Sequence, residues 1–223
     1  MQQDLFSLAD DSGLEAVAGG RGRRLGSGTV LLPGLALAEA PNLVAEIGSI
    51  ARVAPFRNML TPGGQAMSVA MTNCGPLGWV SDRAGYRYQA NDPDSGQPWP
   101  AMPAAFGQLA SAAAALAGFA DFVPDACLIN RYLPGARMSL HQDRDERDFS
   151  QPIVSVSLGL SANFQLAGET RSGPRLRLPL VHGDVLVWGG PDRLRFHGVQ
   201  SIAAGEHPLT GACRYNLTFR RAT

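Results

Sequence analysis

Arg214-Tyr215-Asn216-Leu217-Thr218-Phe219-Arg220, close to the end of a 223-residue chain, alternates polar with apolar residues without a break. Successive side chains of a strand point to opposite faces, so Tyr215, Leu217 and Phe219 share one face and Arg214, Asn216, Thr218 and Arg220 the other. A half-buried antiparallel strand can simply turn such a polar face to water. The same reading extends upstream from Ala126. Leu128-Ile129-Asn130-Arg131-Tyr132, Ile153-Val154-Ser155-Val156-Ser157-Leu158 and Asp184-Val185-Leu186-Val187-Trp188 are strand-like runs separated by Gly and Pro turns. Two helices are predicted outside them, over 38–53 and 103–117, the second from Phe106, Leu109, Ala113 and Leu116 at helical spacing. Both should brace the sheet from outside. The fold class is therefore α+β and β-rich, a barrel or jelly roll.

His141 and Asp143 lie two residues apart in Ser139-Leu140-His141-Gln142-Asp143. At strand spacing their side chains face the same way, about 6.6 Å apart along the chain at about 3.3 Å per residue. A His-x-Asp pair alone is most often a surface loop. Here His197 follows the apolar strand 184–188 and its Gly189-Gly190 turn, at the start of a new element. Two imidazoles and one carboxylate fill three metal positions and leave others open, the pattern of non-haem Fe(II) oxygenases that bind a co-substrate and O₂ together. In that company the two guanidiniums of the last strand suit a dicarboxylate such as 2-oxoglutarate, since each planar fork grips a carboxylate through charge-assisted hydrogen bonds. Asn130 and Tyr132 point the same way and add neutral donors. His182 and His207 sit beside Gly183 and Pro208, have no carboxylate at strand spacing, and read as turn residues outside the metal site.

At these positions the chain resembles the AlkB family of Fe(II)- and 2-oxoglutarate-dependent dioxygenases. The resemblance runs from about Pro55 to Arg220 and is carried by Thr61-Pro62-Gly63-Gly64, the segments 67–75 and 98–103, Leu128 to Tyr132, Ser139 to Asp143, and Arg214 to Arg220. It implies a double-stranded β-helix (jelly roll) braced by helices, with an N-terminal nucleotide-recognition lid at its mouth. It also implies oxidative removal of alkyl groups from nucleobases of the 1-methyladenine and 3-methylcytosine type, releasing succinate, CO₂ and formaldehyde. By resemblance Fe(II) is held by His141, Asp143 and His197. 2-Oxoglutarate is taken by Asn130, Tyr132, Arg214, Asn216 and Arg220, with Arg214 on the far carboxylate and Arg220 nearer the metal. Trp79 and the ring of His141 would sandwich a flipped base, Tyr86 and Tyr88 would contact the nucleotide, and Asp145 and Arg171 would line the base or phosphate side. Asp145 also has a case of its own, because a carboxylate two residues beyond Asp143 would stabilise a base made cationic by alkylation. One departure is Gln65, where the bacterial pattern carries tyrosine.

The segment 56–100 is the expected lid, rich in Trp79, Tyr86, Tyr88 and Trp99 among Gly, Pro and Asp, with Trp99 between prolines read as core. Residues 126–223 are the expected catalytic core, within one domain over 28–223. Residues 1–27, with Gly19-Gly20-Arg21-Gly22-Arg23-Arg24 and no periodicity, are expected to form a mobile tail. A formal net charge of +0 excludes a chain held to nucleic acid by its bulk field, so any basic surface is local, with Arg83, Arg87, Arg131, Arg137, Arg144 and Arg171 as candidates. All 19 basic residues are arginine, a bias with no evident bearing on function. Cys74, Cys127 and Cys213 lack zinc spacing and point to reduced thiols in a cytoplasmic chain. No membrane span is expected. The expected partner is alkylated DNA, as a single strand or a flipped base, or RNA, met by a monomer. Three other readings stay open: a dioxygenase acting on protein or a small molecule, a zinc hydrolase using the same three ligands, and a non-catalytic nucleic-acid module.

Overall fold

The computed structural model describes residues 22–223. In chain order the elements are β1 (Arg23–Arg24), β2 (Thr29–Leu32), α1 (Ala40–Val53), β3 (Ala70–Cys74), β4 (Gly78–Asp82), β5 (Gly85–Gln89) and α2 (Ala104–Leu116). There follow β6 (Ala126–Tyr132), β7 (Met138–His141), β8 (Ile153–Gly159), β9 (Ala162–Leu166), β10 (Leu176–Leu180), β11 (Val185–Trp188), β12 (His197–Val199) and β13 (Arg214–Arg220). One seven-stranded sheet runs β1-β2-β11-β8-β13-β6-β3, a four-stranded sheet runs β10-β9-β12-β7, and β4 and β5 form a separate hairpin. The two larger sheets are antiparallel throughout and face each other as a jelly roll.

Alternation along the strands builds two cores at once. Leu217 and Phe219 of β13, Val154 and Val156 of β8 and Ile129 of β6 pack with Leu43 and Ile47 of α1 and with Phe106 and Ala110 of α2. Between the sheets, Leu128, Tyr132, Ile153, Leu186 and Trp188 meet Phe164, Leu166, Leu178 and Leu180 of the smaller sheet. The helices thus brace the larger sheet from outside, as expected. The polar face of β13 turns inward, not to water, and Arg214, Asn216, Thr218 and Arg220 are all buried.

Both helices begin two or one residues inside their expected bounds. Pro41 falls in the first turn of α1, where its missing N–H has no helical acceptor to lose. In α2 the buried stripe is Phe106, Ala110, Ala113 and Ala114, whereas Leu116 is exposed. The helix ends where Gly118 takes φ +93°, and Gly118 and Phe119 donate back to the carbonyls of Ala115 and Ala114, closing a Schellman turn that satisfies those carbonyls.

Two expected boundaries shift. β1 lies within the expected tail and pairs with β2, while the tail expected over residues 1–21 falls outside the described residues. β3 lies within the expected lid, yet pairs with β6 at the edge of the larger sheet. What remains of the lid segment is the β4–β5 hairpin and its flanking loops. Trp99 is buried against Ala54 and Val80, in the core role read for it. At the far end of β8, Gly159 adopts φ +86°, and a Cβ there would run into Thr210 Oγ1 and the Cys213 carbonyl. Gly159→Ala is expected to lower stability by about 2 to 4 kcal/mol, from backbone strain plus overpacking. A urea melt should show the midpoint falling with the slope unchanged.

Candidate active site

β7 and β12 are antiparallel neighbours with His141 opposite His197. Residues directly opposed across such a ladder hold their side chains about 5 Å apart, and here the imidazole centroids are 4.4 Å apart. Asp143 follows two residues beyond the end of β7. Its carboxylate oxygens stand 3.7 Å from His141 Nε2 and 3.6 Å from His197 Nε2. One ligand atom from each of the three residues lies within 4.8 Å of the other two. His141 Nδ1 is 2.9 Å from the Ser139 carbonyl and His197 Nδ1 is 3.1 Å from the Arg195 carbonyl. A carbonyl can only accept, so each Nδ1 carries the proton and each Nε2 presents a lone pair toward Asp143. That donor set fits a divalent first-row ion with open positions.

Burial, with His141 beside it, lowers the His197 imidazole to about 4, so it is a neutral ligand at neutral pH. Burial by itself would raise the Asp143 carboxyl, but the Arg220 guanidinium overrides it and holds Asp143 well below the usual carboxylate range. Arg220 Nη2 donates to Asp143 Oδ2 at 2.7 Å.

Along β13 the other guanidinium stands apart. Arg214 is 1% exposed and its Nη2 donates to Ser157 Oγ at 3.0 Å. Its Nε and Nη1 have no hydrogen-bond partner among the described residues. Burial lowers it to about 10, still a cation at neutral pH. A buried charge without a counter-ion is costly, so Arg214 fits an anionic guest. Tyr132, whose β6 position pairs with Arg214, is raised by burial to about 12 and stays a neutral donor. Asn130 Nδ2 reaches Asn216 Oδ1 and Thr218 Oγ1 only at 3.4 and 3.5 Å, and its Oδ1 is unpartnered. Asn216 donates to Ser155 Oγ and the Val156 carbonyl at 2.8 and 3.0 Å, so its amide braces β13 against β8. Arg220 at Asp143 and Arg214 at Ser157 therefore mark the two ends of the buried polar face of β13, between β6 and β8.

Two residues that sequence reading missed organise the carboxylate end. Glu146 Oε1 is 3.2 Å from Arg220 Nε, and Glu146 Oε2 is 3.0 Å from Arg193 Nη2. Arg193 in turn donates to the Asp143 main-chain carbonyl at 2.9 Å. Gln142 Nε2 donates to the Leu194 carbonyl and ties the same loop to the segment before β12. The run Asp143-Arg144-Asp145-Glu146-Arg147-Asp148 has the composition of a solvated loop, and nothing local separates Glu146 from its neighbours.

On the substrate side, Trp79 of β4 stacks on Tyr86 of β5, with centroids 5.6 Å apart and planes at 15°. Its Nε1 donates to Asp145 Oδ2 at 2.7 Å, so Asp145 turns to the hairpin and stays out of the ion site. Tyr88 OH donates to Glu146 Oε1 at 2.7 Å. Tyr86, Tyr88 and Asp145 line one pocket with Leu77, Arg87 and Arg147. Arg171 does not line it and instead lies over the Phe196 ring, 5.4 Å from its centroid. Of the candidate basic residues, Arg87 is paired with Asp82 at 2.8 Å and Arg131 stacks 4.6 Å over Phe56, so these two are held by local partners. His182 and His207 lie in turns outside the ion site, their centroids 4.3 Å apart, each Nδ1 accepting a backbone N–H.

The family model described as the 2OG-Fe(II) oxygenase superfamily matches residues 28–220. The chain is 58% identical over 198 residues to the alpha-ketoglutarate-dependent dioxygenase AlkB of Escherichia coli K12, covering 89% of this chain and 92% of that protein. It is 33% identical over 127 residues to the human nucleic acid dioxygenase ALKBH1, covering 56% of this chain and 32% of the human one. Among solved structures, that of OsALKBH1 superposes with a TM-score of 0.76 at 28% identity, covering 89% of this chain and all of that one.

Proposed function

The chain belongs to the 2OG-Fe(II) oxygenase superfamily and, within it, to the AlkB family, and on that premise we propose that His141, Asp143 and His197 hold the iron with which it dealkylates nucleobases. It is a 2-oxoglutarate-dependent dioxygenase that uses Fe(II), 2-oxoglutarate and O₂ for oxidative dealkylation of nucleic-acid bases. The bound iron supplies the chemistry: oxidation of an alkyl carbon coupled to loss of 2-oxoglutarate as succinate and CO₂.

The protein's own residues bind, orient and enclose. The observation that carries the assignment is the pair of imidazoles fixed by carbonyls at Nδ1 with both Nε2 atoms turned to Asp143. Arg214 takes the far carboxylate of 2-oxoglutarate, with Tyr132 and Asn130 as neutral partners. Arg220 stands at the metal-bound end and orients Asp143. A base leaving a duplex is unstacked at a few kcal/mol, least for a single strand or a damaged base, which supports single-stranded DNA or RNA as the preferred form. Trp79, held by Tyr86 and Asp145, offers the flat face on which that base stacks, opposite the His141 ring. Tyr86 and Tyr88 meet the nucleotide, Asp145 the charge of an alkylated base, and Arg171 a phosphate. The preferred lesions are 1-methyladenine and 3-methylcytosine, which leave formaldehyde, and Gln65 shifts preference among adducts. The domain spans 28–223. The contacts proposed for iron, 2-oxoglutarate and the base are all made by this one chain, so a monomer would suffice for the reaction. No described helix is long and apolar enough to cross a membrane, and three buried free thiols suit a reducing compartment such as the cytoplasm.

Trp79→Ala is expected to raise KM for a 1-methyladenine oligonucleotide by about 5- to 150-fold, the loss of one base–aromatic stack of roughly 1 to 3 kcal/mol. KM for 2-oxoglutarate should be unchanged within about twofold, since the Trp79 side chain stacks on Tyr86 and bonds Asp145, neither of which touches Arg214. Steady-state kinetics on both substrates test the assignment, and equal effects on the two would reject it.

A further inference from the structure

Asp143 is held at two places, its carboxylate by Arg220 and its main-chain carbonyl by Arg193. Both guanidiniums are ion-paired to one buried carboxylate, Glu146, whose side chain is 1% exposed. The oxygen of Glu146 that faces Arg220 is also the acceptor for the Tyr88 hydroxyl, at 2.7 Å. Burial raises the Tyr88 phenol well above its ordinary value, so it remains a proton donor. Tyr88 sits on β5, in a hairpin that belongs to neither of the larger sheets. A continuous chain of contacts therefore runs from the hairpin through Tyr88, Glu146 and the two arginines to Asp143. Arg87 next to it is engaged with Asp82 of the same hairpin, so it does not duplicate this tie to Glu146.

We propose that Glu146 is a positioning residue that couples docking of the β4–β5 hairpin to the orientation of Asp143. With the hairpin docked, the Tyr88 hydroxyl fixes Glu146, Glu146 fixes both arginines, and Asp143 is ordered for its ion before the ion arrives. A lifted hairpin leaves Glu146 one donor short and loosens both arginines. Because the ordering has already occurred in the docked state, metal binding and docking favour each other, and linkage makes the effect equal in both directions. The proposal rests on the assignment of Asp143 as a metal ligand.

The test uses the full-length protein and Mn(II) as a redox-inert probe. Hydrogen exchange of residues 78–89 is followed by mass spectrometry with and without Mn(II), and Mn(II) affinity is titrated in parallel. In the wild type, Mn(II) is expected to slow exchange of the hairpin by about fivefold or more, the lower range of ordinary coupling. In Tyr88→Phe, which keeps the ring and removes only the hydroxyl, that slowing should fall below about twofold and Mn(II) affinity should drop by the same factor of about five. Glu146→Gln should behave alike where it folds, and Tyr88→Phe decides the matter where it does not. A purely structural Tyr88 would change hairpin exchange equally with and without metal, and that result overturns the coupling. Mn(II) that speeds exchange, or leaves it unchanged in the wild type, overturns it too. Failure of the dioxygenase reading is separate: it would appear as wild-type protein that forms no succinate from 2-oxoglutarate with Fe(II).

Discussion

Arg214→Met is expected to weaken 2-oxoglutarate binding by a factor of about 100 or more while making the ligand-free protein more stable. Removing one partner of a buried charge pair typically costs about 2 to 5 kcal/mol of binding, and each 1.4 kcal/mol is about tenfold in affinity. The opposite sign for stability follows from the same burial. In the ligand-free protein the Arg214 charge is 1% exposed, with two of its three nitrogens unpartnered. An apolar side chain of similar length removes that penalty, and replacing buried ionic groups by well-packed apolar ones often gains roughly 1 to 4 kcal/mol. Thermal melts with and without 2-oxoglutarate should therefore cross, the variant melting higher alone and failing to gain stability when the ligand is added. A variant that melts lower in both conditions would mean that Arg214 serves the fold and not a guest.

Asp143→Ala is expected to reduce succinate and formaldehyde formation by a factor of about 10³ or more, because a metal ligand supplies several kcal/mol of transition-state stabilisation. The fold should survive. Arg220 keeps Glu146 as a counter-ion, Arg193 keeps Glu146 as well, and the Arg193 bond to residue 143 is to its main-chain carbonyl, which alanine retains. Circular dichroism matching the wild type alongside lost turnover is the expected pair of results. Wild-type-like turnover would remove Asp143 from the ion site.

What could be read in the sequence was what local periodicity encodes. The alternation of 214–220 placed Leu217 and Phe219 on one face and two arginines on the other, and the structure buries both faces. His141 and Asp143 were legible as a pair from their two-residue spacing, although β7 ends at His141 and it is the loop beyond it, held by Arg220 and Arg193, that brings Asp143 to the same point. His197 needed the preceding strand and turn to announce a new element, but its register against His141 is a nonlocal fact of β7 and β12 pairing. The misses have two causes. β3 joins the larger sheet through β6, far downstream, and was absorbed into a lid, whereas β1 is only two arginines paired with nearby β2, too short and too polar to carry a period, and was absorbed into a tail. Glu146 was hidden for a different reason. It lies beyond the end of β7, where no period assigns a side chain to the inside, and its burial depends on Arg193 and Arg220 arriving from elsewhere in the chain. Asp145, its immediate neighbour, is exposed and faces Trp79.

The most direct measurement is a mass balance on a single-stranded 1-methyladenine oligonucleotide incubated with the protein, Fe(II), 2-oxoglutarate, O₂ and ascorbate. Restored adenine, formaldehyde and substrate-dependent succinate are quantified together, for the wild type and for Asp143→Ala. Equimolar appearance of all three with the wild type, and none with the variant, is the predicted result. Restored adenine that appears equally with the variant, or succinate that never depends on the oligonucleotide, would contradict it.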